Sequence, residues 1–328
     1  MAEETNASPP WGALPVEQYL IVPKQTSVPN PTPFPSARLN NNHPSQRNWD
    51  PSSPLSNPSQ QTRALVRGFL ALDTVPEEWD TTNAWPLHPI PRVPTADQVR
   101  TVLAPWRPAR WRDAAAHLWR RCGDHAVWLR THYGAGSDGQ FYAWRDADED
   151  WNPEFEEEEV PWLVFDDREV FDVGEEWWRA LEVVPELVRP GYVDDEIPAV
   201  RERLRERIRE RVAAGEDEEE VAVREAEYGE YGQDLQVRSV TSYLVVVDAN
   251  AWETECFRLL FLDSKGNIVR HSIIEAQYSF EVPGFWLGRK FRDISWWVFD
   301  SECDARVTLG GAYRARGEQG QALYGLGL

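Results

Sequence analysis

Cysteine and methionine are scarce in this 328-residue chain, with three Cys and one Met. Cys122, Cys256 and Cys303 are odd in number, widely separated and form no CxxC pair. That excludes the even-numbered disulfide framework of a small secreted domain and leads us to expect a reducing interior. Long apolar runs are also missing: Tyr243–Val247 is far short of a membrane span. The first residues have neither the basic nor the apolar stretch of a secretory signal. The expectation is a soluble intracellular protein, cytoplasmic or nuclear. Positive charge is in short supply, with 34 basic against 55 acidic side chains and a net charge of -21. Duplex nucleic acids and anionic membrane surfaces are bound largely through Lys and Arg, so both are excluded as expected partners.

The acidity is local. Residues 146–234 hold 32 acidic and 10 basic side chains, a balance of -22, and the rest of the chain is nearly neutral. Residues 1–62 contain 12 Pro, 8 Ser and 7 Asn. Such a composition buries too little apolar surface to offset chain entropy, so a disordered arm is expected there. The exception is the apolar island from Trp11 to Pro23, which either docks back on the domain or serves as a short linear motif for another protein. Docking is the commoner outcome. Residues 63–328 are read as one α+β domain in which 194–234 is an acidic helical insertion.

Within that domain, Thr95-Ala-Asp-Gln98 has capping-box spacing and opens a helix. A second helix starts near Pro108 and stops at Gly123. His125–His132 and Gln140–Arg145 read as strands joined by a Gly-rich loop, and Pro161–Asp166 as a third strand. Gly174–Val184 suits a helix. Over Asp194–Gly215, Ile197, Val200, Leu204, Ile208 and Val212 step by three or four, the period of a one-sided helix. Glu216–Glu230 is either a frayed helix or a solvated insertion. Thr241–Asp248 is a Val-rich strand, and Cys256–Asp263 and Asn267–Glu275 flank Ser264-Lys265-Gly266 as a hairpin. Phe291–Asp300 is an aromatic element of open type, and 317–328 reads as a loose tail. No repeat is visible. The fold class is therefore α+β, an antiparallel-rich sheet packed with helices.

Several motifs invite a chemical reading. Gly134-Ala-Gly136-Ser-Asp-Gly139 matches GxGxxG, but the dinucleotide fingerprint needs a helix to open next, and Gln140–Trp144 looks like a strand. A hairpin loop is preferred, and no cofactor is expected. Asp146, Asp148 and Asp150 start like a calcium loop, with Glu154 and Glu157 at the ninth and twelfth positions. Trp151 stands where the sharp turn needs Gly, so a solvated acidic loop is preferred, with Asp146, Asp148, Asp150 and Glu157 kept as the alternative cation site. Cys122, His125 and His132 lack the fourth ligand of a structural zinc site. Neither GxSxG nor HExxH occurs.

The 17 Trp exceed ordinary usage several-fold. In the pairs Trp177-Trp178 and Trp296-Trp297 the two side chains cannot point one way, which allows one core and one surface ring per pair. Core filling is the usual fate of Trp. The six Arg at alternate positions from Arg201 to Arg211 are interleaved with Glu and suit a salt-bridged solvent face. Val164-Phe-Asp-Asp-Arg168 and Tyr243-Leu-Val-Val-Val-Asp248, followed by Trp296–Asp300, resemble a small α/β domain family of unknown function from bacteria and fungi. The resemblance covers under half the chain and implies a fold, not an activity.

Two functions remain open. The first is a non-enzymatic protein-interaction module using the acidic segment or the N-terminal arm to hold another protein. The alternative is a small-ligand or carbohydrate-type binder or hydrolase with a cleft of Trp and carboxylates. Its candidate residues are Asp166, Asp248 and His271 for catalysis, with Trp178 and Trp297 for ligand stacking.

Overall fold

The computed structural model describes residues 9–21, 58–79, 90–120, 126–150, 162–276, 279, 307–310 and 313–328. Its strands are β1 (Ala126–Arg130), β2 (Trp162–Phe165), β3 (Val240–Val247), β4 (Cys256–Asp263), β5 (Ile268–Glu275) and β6 (Val307–Gly310). They form one sheet in the order β2-β1-β3-β4-β5-β6. β1 runs parallel to both neighbours, with Val127 opposite Leu163 and Trp128 opposite Val245. The other three pairings are antiparallel, so the sheet is mixed and the α+β class holds.

Burial follows position in the sheet. Every residue of β3 is buried, as its unbroken apolar run requires for a strand covered on both faces. β5 alternates, with Val269, Ser272 and Ile274 inside and His271 and Ile273 outside. The β4–β5 turn is fixed by Asp263, whose Oδ1 accepts from Lys265 N at 2.9 Å and Asn267 N at 2.8 Å. Gly266 supplies the positive φ of 81° that this turn needs.

Helices cover both faces. On one face Trp128, Tyr243, Val245, Phe257 and Phe261 pack against α6 (Ser137–Asp150), α8 (Ile197–Ala213), α9 (Glu218–Tyr228), α10 (Glu230–Ser239) and α12 (Glu318–Tyr324). On the other, Leu129, Phe165, Leu244 and Leu260 meet α1 (Pro15–Ile21), α2 (Pro58–Leu70), α5 (Ala109–Arg120) and α7 (Arg168–Phe171). Two 3-10 turns, Trp177–Glu182 and Pro185–Leu187, complete that second layer. Between α2 and α5, α3 (Ala96–Gln98), a π-helical turn Val99–Leu103 and α4 (Ala104–Trp106) form one run that starts in the expected capping box. Between β3 and β4 lies α11 (Ala249–Thr254). Among the described residues no helix is long and apolar enough to cross a membrane.

Four regions differ from the sequence reading. Gln140–Arg145 is the middle of α6, not a strand. A five-residue aromatic run fits both periods, and the helix wins by burying Phe141 beside Trp128 while leaving Tyr142 40 % exposed. The same helix takes in Asp146, Asp148 and Asp150, so the calcium-loop spacing is not presented by a loop. Gly174–Val184 tightens into the 3-10 turn Trp177–Glu182. The tail contains α12, seated by buried Leu323 and Tyr324.

The acidic segment 194–234 forms α8 to α10 and lends Val200, Leu204, Val221, Ala226 and Leu235 to the core. Most of the expected N-terminal arm, and Phe291–Asp300, Cys122, His125, Glu154, Glu157 and Trp297, lie outside the described residues. The island within that arm docks: Leu14, Val16, Leu20 and Ile21 enter the second core.

Docking also buries charge. Glu17, Arg107, Arg112 and Glu186 are all nearly or fully inaccessible. Arg112 Nε donates to Glu17 Oε1 at 2.6 Å, Gly12 N to Glu17 Oε2 at 2.7 Å, and Arg107 Nη1 to Glu186 Oε2 at 2.7 Å. Burial pushes the Glu186 carboxyl up, and Arg107 pulls against it. Removing one partner from a buried ion set leaves an uncompensated charge, which costs about 3–5 kcal/mol. Glu17→Gln is therefore expected to lower the unfolding free energy of the full chain by about 3–5 kcal/mol, read from its urea midpoint and slope.

Candidate functional sites

Ligands of open α/β sheets sit outside the carboxyl ends of parallel strands where successive connections leave toward opposite faces. β1 and β2 meet that condition. β1 leads into α6 on one face, and β2 leads into α7, whose Phe171 belongs to the other core. The connection β1–α6–β2 is a βαβ unit, so the helix demanded by the Gly-rich motif is present and opens at Ser137. In sequence the signal was Ser137-Asp138, residues that favour helix starts, outweighed by the aromatic run behind them. The third glycine departs from the dinucleotide fingerprint, because a Cβ at Gly139 would meet nothing within 4 Å instead of packing on a strand.

Arg130 closes β1 at this edge and is 1 % exposed. Its guanidinium lies 4.4 Å from the ring of Tyr133, 4.8 Å from that of Phe141 and 5.6 Å from that of Trp252. It donates to Ser137 Oγ at 2.7 Å, Asp138 Oδ1 at 2.5 Å, His132 O at 3.2 Å and Asp166 Oδ1 at 3.4 Å. Tyr142 Oη donates to Asp166 Oδ2 at 3.3 Å, and the Asp166 charge holds that phenol above the ordinary tyrosine range. Tyr133 is raised further, first by burial and then by Asp166. The cluster ties the Gly loop to the sheet and keeps one guanidinium beneath it.

Of the residues singled out from sequence, Asp166 and Asp248 reach this edge, ending β2 and β3 on either side of β1. Asp248 is engaged as the cap of α11, accepting from Asn250 N at 3.1 Å, and pairs with Arg258 Nη2 at 2.9 Å. Trp178 lies in the opposite layer, 41 % exposed, with Arg67 over its ring, while its neighbour Trp177 is buried. His271 is an exposed residue of β5, opposite Leu260. The structure therefore gathers two of the candidates at one edge and leaves Trp178 and His271 elsewhere. Arg130, Tyr133 and Asp138 were not singled out. Among the described residues no group of three or more His, Cys, Asp or Glu is placed to hold a metal ion.

A second surface is the outer side of α8 to α10. The arginines of α8 are largely engaged: Arg201 donates to Leu323 O at 3.0 Å and Ala322 O at 2.9 Å, and Arg205 to Gly325 O at 3.1 Å. These bonds satisfy carbonyls at the end of α12. Arg211 pairs with Glu216 at 2.7 Å and Glu225 at 2.5 Å, and Arg224 with Glu216 at 2.5 Å. With its Arg committed, the surface presents carboxylates. A cleft of about 450 Å³ is lined by Asp217, Glu219, Glu220, Val223, Arg224, Tyr228 and Arg316. Another of about 380 Å³ lies among Arg203, Glu206, Arg207, Glu210, Glu225, Glu230 and Tyr231. Tyr228 is 62 % exposed at the first.

No protein-family model, curated protein or solved structure matches the chain.

Two measurements follow from this geometry. Hydrogen bonds from Arg211 and then Arg224 pull the Glu216 carboxyl down to about 2 from its ordinary 4.5. A depressed carboxylate contributes stability that is present above the unfolded value and lost as pH falls through the folded one. The α8–α9 pairing should therefore persist at pH 4 and fail toward pH 2, with the Glu216 carboxyl carbon titrating near 2 by NMR. Separately, Gly in a helix costs about 0.5–1 kcal/mol against Ala, and nothing crowds Gly139. Gly139→Ala should raise the unfolding free energy by about that amount in the same urea assay.

Proposed function

We propose that the chain is a protein-interaction module that holds a Lys- or Arg-bearing segment of another protein against the outer face of α8 and α9. The observation that carries this reading is the 450 Å³ cleft, where a half-buried Val223 and an exposed Tyr228 stand among Asp217, Glu219 and Glu220. An aromatic anchor ringed by carboxylates suits a cationic side chain twice over, through its π face and through the surrounding charge. The confinement of the acidity to residues 146–234 supports the same surface, since it concentrates attraction for a basic partner at one place. Neither α8 nor α9 can be deleted to test it, because both contribute core residues. Surface substitution is the proper probe.

In this reading the Trp- and carboxylate-lined cleft retains two carboxylates, Asp166 and Asp248, and neither stands with a Trp of the original set. The interaction reading is preferred for that reason.

The test is binding of an Arg-rich peptide to the full chain, followed by fluorescence anisotropy at 150 mM salt. Tyr228→Ala leaves the charge unchanged and removes the anchor; it should weaken binding about tenfold, the loss of one modest hot-spot aromatic. Glu218→Lys, Glu219→Lys and Glu220→Lys together should abolish binding. Equal affinity in wild type and Tyr228→Ala would mean diffuse charge attraction and would sink the proposal.

A further inference from the structure

From the crevice at the carboxyl ends of β1 and β2, we infer an oxyanion site that takes the phosphate group of a small phosphorylated ligand. Arg130 is its anchor, and Asp138 occupies the anion's place when no ligand is bound. This site is separate from the acidic face of α8 and α9 and stands or falls independently of it.

Three observations combine. The first is the placement of a permanently charged group. Arg130 is 1 % exposed and boxed by Tyr133, Phe141 and Trp252, so its guanidinium is held in one position in a poorly hydrated setting. A fixed planar fork of donors suits a phosphate, and the cost of ordering it has been met by the fold.

The second is the nature of its partners. Ser137 and the His132 carbonyl are neutral, and the Asp166 contact is long at 3.4 Å. The short contact at 2.5 Å is to Asp138, whose side chain is 72 % exposed. Asp138 can therefore rotate into water and leave one of the Arg130 donors to an incoming oxyanion. The exchange of one anion for another keeps the buried charge compensated throughout.

The third is the space above it. Gly136 has a φ of 81°, and a Cβ at Gly136 or at Gly139 would meet no atom within 4 Å. Packing does not demand Gly at 139, in the first turn of α6, where any helix former would fit. A bare backbone facing open space beside a buried guanidinium allows a ligand to approach the chain closely. The amides at the start of a 14-residue helix then add partial positive charge on the same side.

The probe is inorganic pyrophosphate, titrated calorimetrically into the full chain. Wild type should bind it, and Asp138→Ala, which removes the internal competitor at an exposed position, should bind at least tenfold more tightly. Gly139→Leu fills the open space without touching Arg130 and should weaken binding tenfold or more while the melting temperature is not lowered. Arg130→Gln should abolish binding. Because it also removes a buried tie and can unfold the edge, the decision rests on the other two variants. Affinities that are equal in wild type, Asp138→Ala and Gly139→Leu would place the anion elsewhere on the surface and overturn the assignment. Absence of binding in all three would overturn it as well.

Discussion

The second layer of this protein is organised around four buried charges. Glu17 comes from the N-terminal segment, Arg107 and Arg112 from the start of α5, and Glu186 from a turn nearly 80 residues further on. Hydrophobic contacts alone would let α1 slide along the groove between α2 and α5, since apolar surfaces are non-directional. A carboxylate that must meet Arg112 on one side and the Gly12 amide on the other allows one register. The set is not fully satisfied, for Arg107 Nε and Glu186 Oε1 are buried without a hydrogen-bond partner. Its contribution is therefore uniqueness more than stability, in keeping with the high desolvation cost of buried ions.

Arginine is used at the other end of the chain in a different way. Arg201 and Arg205 hold the last carbonyls of α12, which seats Tyr324 under α10, where Gln236 Nε2 donates to its hydroxyl at 3.0 Å. Burial of Tyr324 and Tyr313 raises both phenols, so these hydroxyls stay protonated and act only as neutral links. Both termini are thus fastened by side chains from distant parts of the sequence. The sheet supplies the platform, and long polar side chains fix what lies on it.

How much of this was legible in the sequence depends on how far each residue's environment is local. The capping box at Thr95, the stripe from Ile197 to Ile208 and the Ser264-Lys265-Gly266 hairpin could be read because period, cap and turn chemistry are short-range properties. α6 could not, because Phe141-Tyr142-Ala143-Trp144 fits either period and its fate is decided by Trp128 across the crevice. The error spread, since reading a strand there also dismissed the Gly loop and hid Arg130. Asp166 and Asp248 were noticed as strand-terminal acids, and the parallel pairing of β1 with both neighbours explains why they share an edge. Nothing in the spacing of Glu17 and Arg112 announced their pairing.

That pairing has a consequence for synthesis. Ninety-five residues separate Glu17 from Arg112, and at about 5–20 residues per second the ribosome needs roughly 5–20 s to cover that distance. Throughout this interval the nascent N-terminal helix has no counter-ion to meet and no groove to enter. Its hydration keeps it out of premature apolar contacts, so the first segment translated is among the last to be placed. A codon or temperature change that slows elongation between these two positions would lengthen the exposure of Leu14, Val16 and Leu20, making this stretch the vulnerable window of the protein's biogenesis.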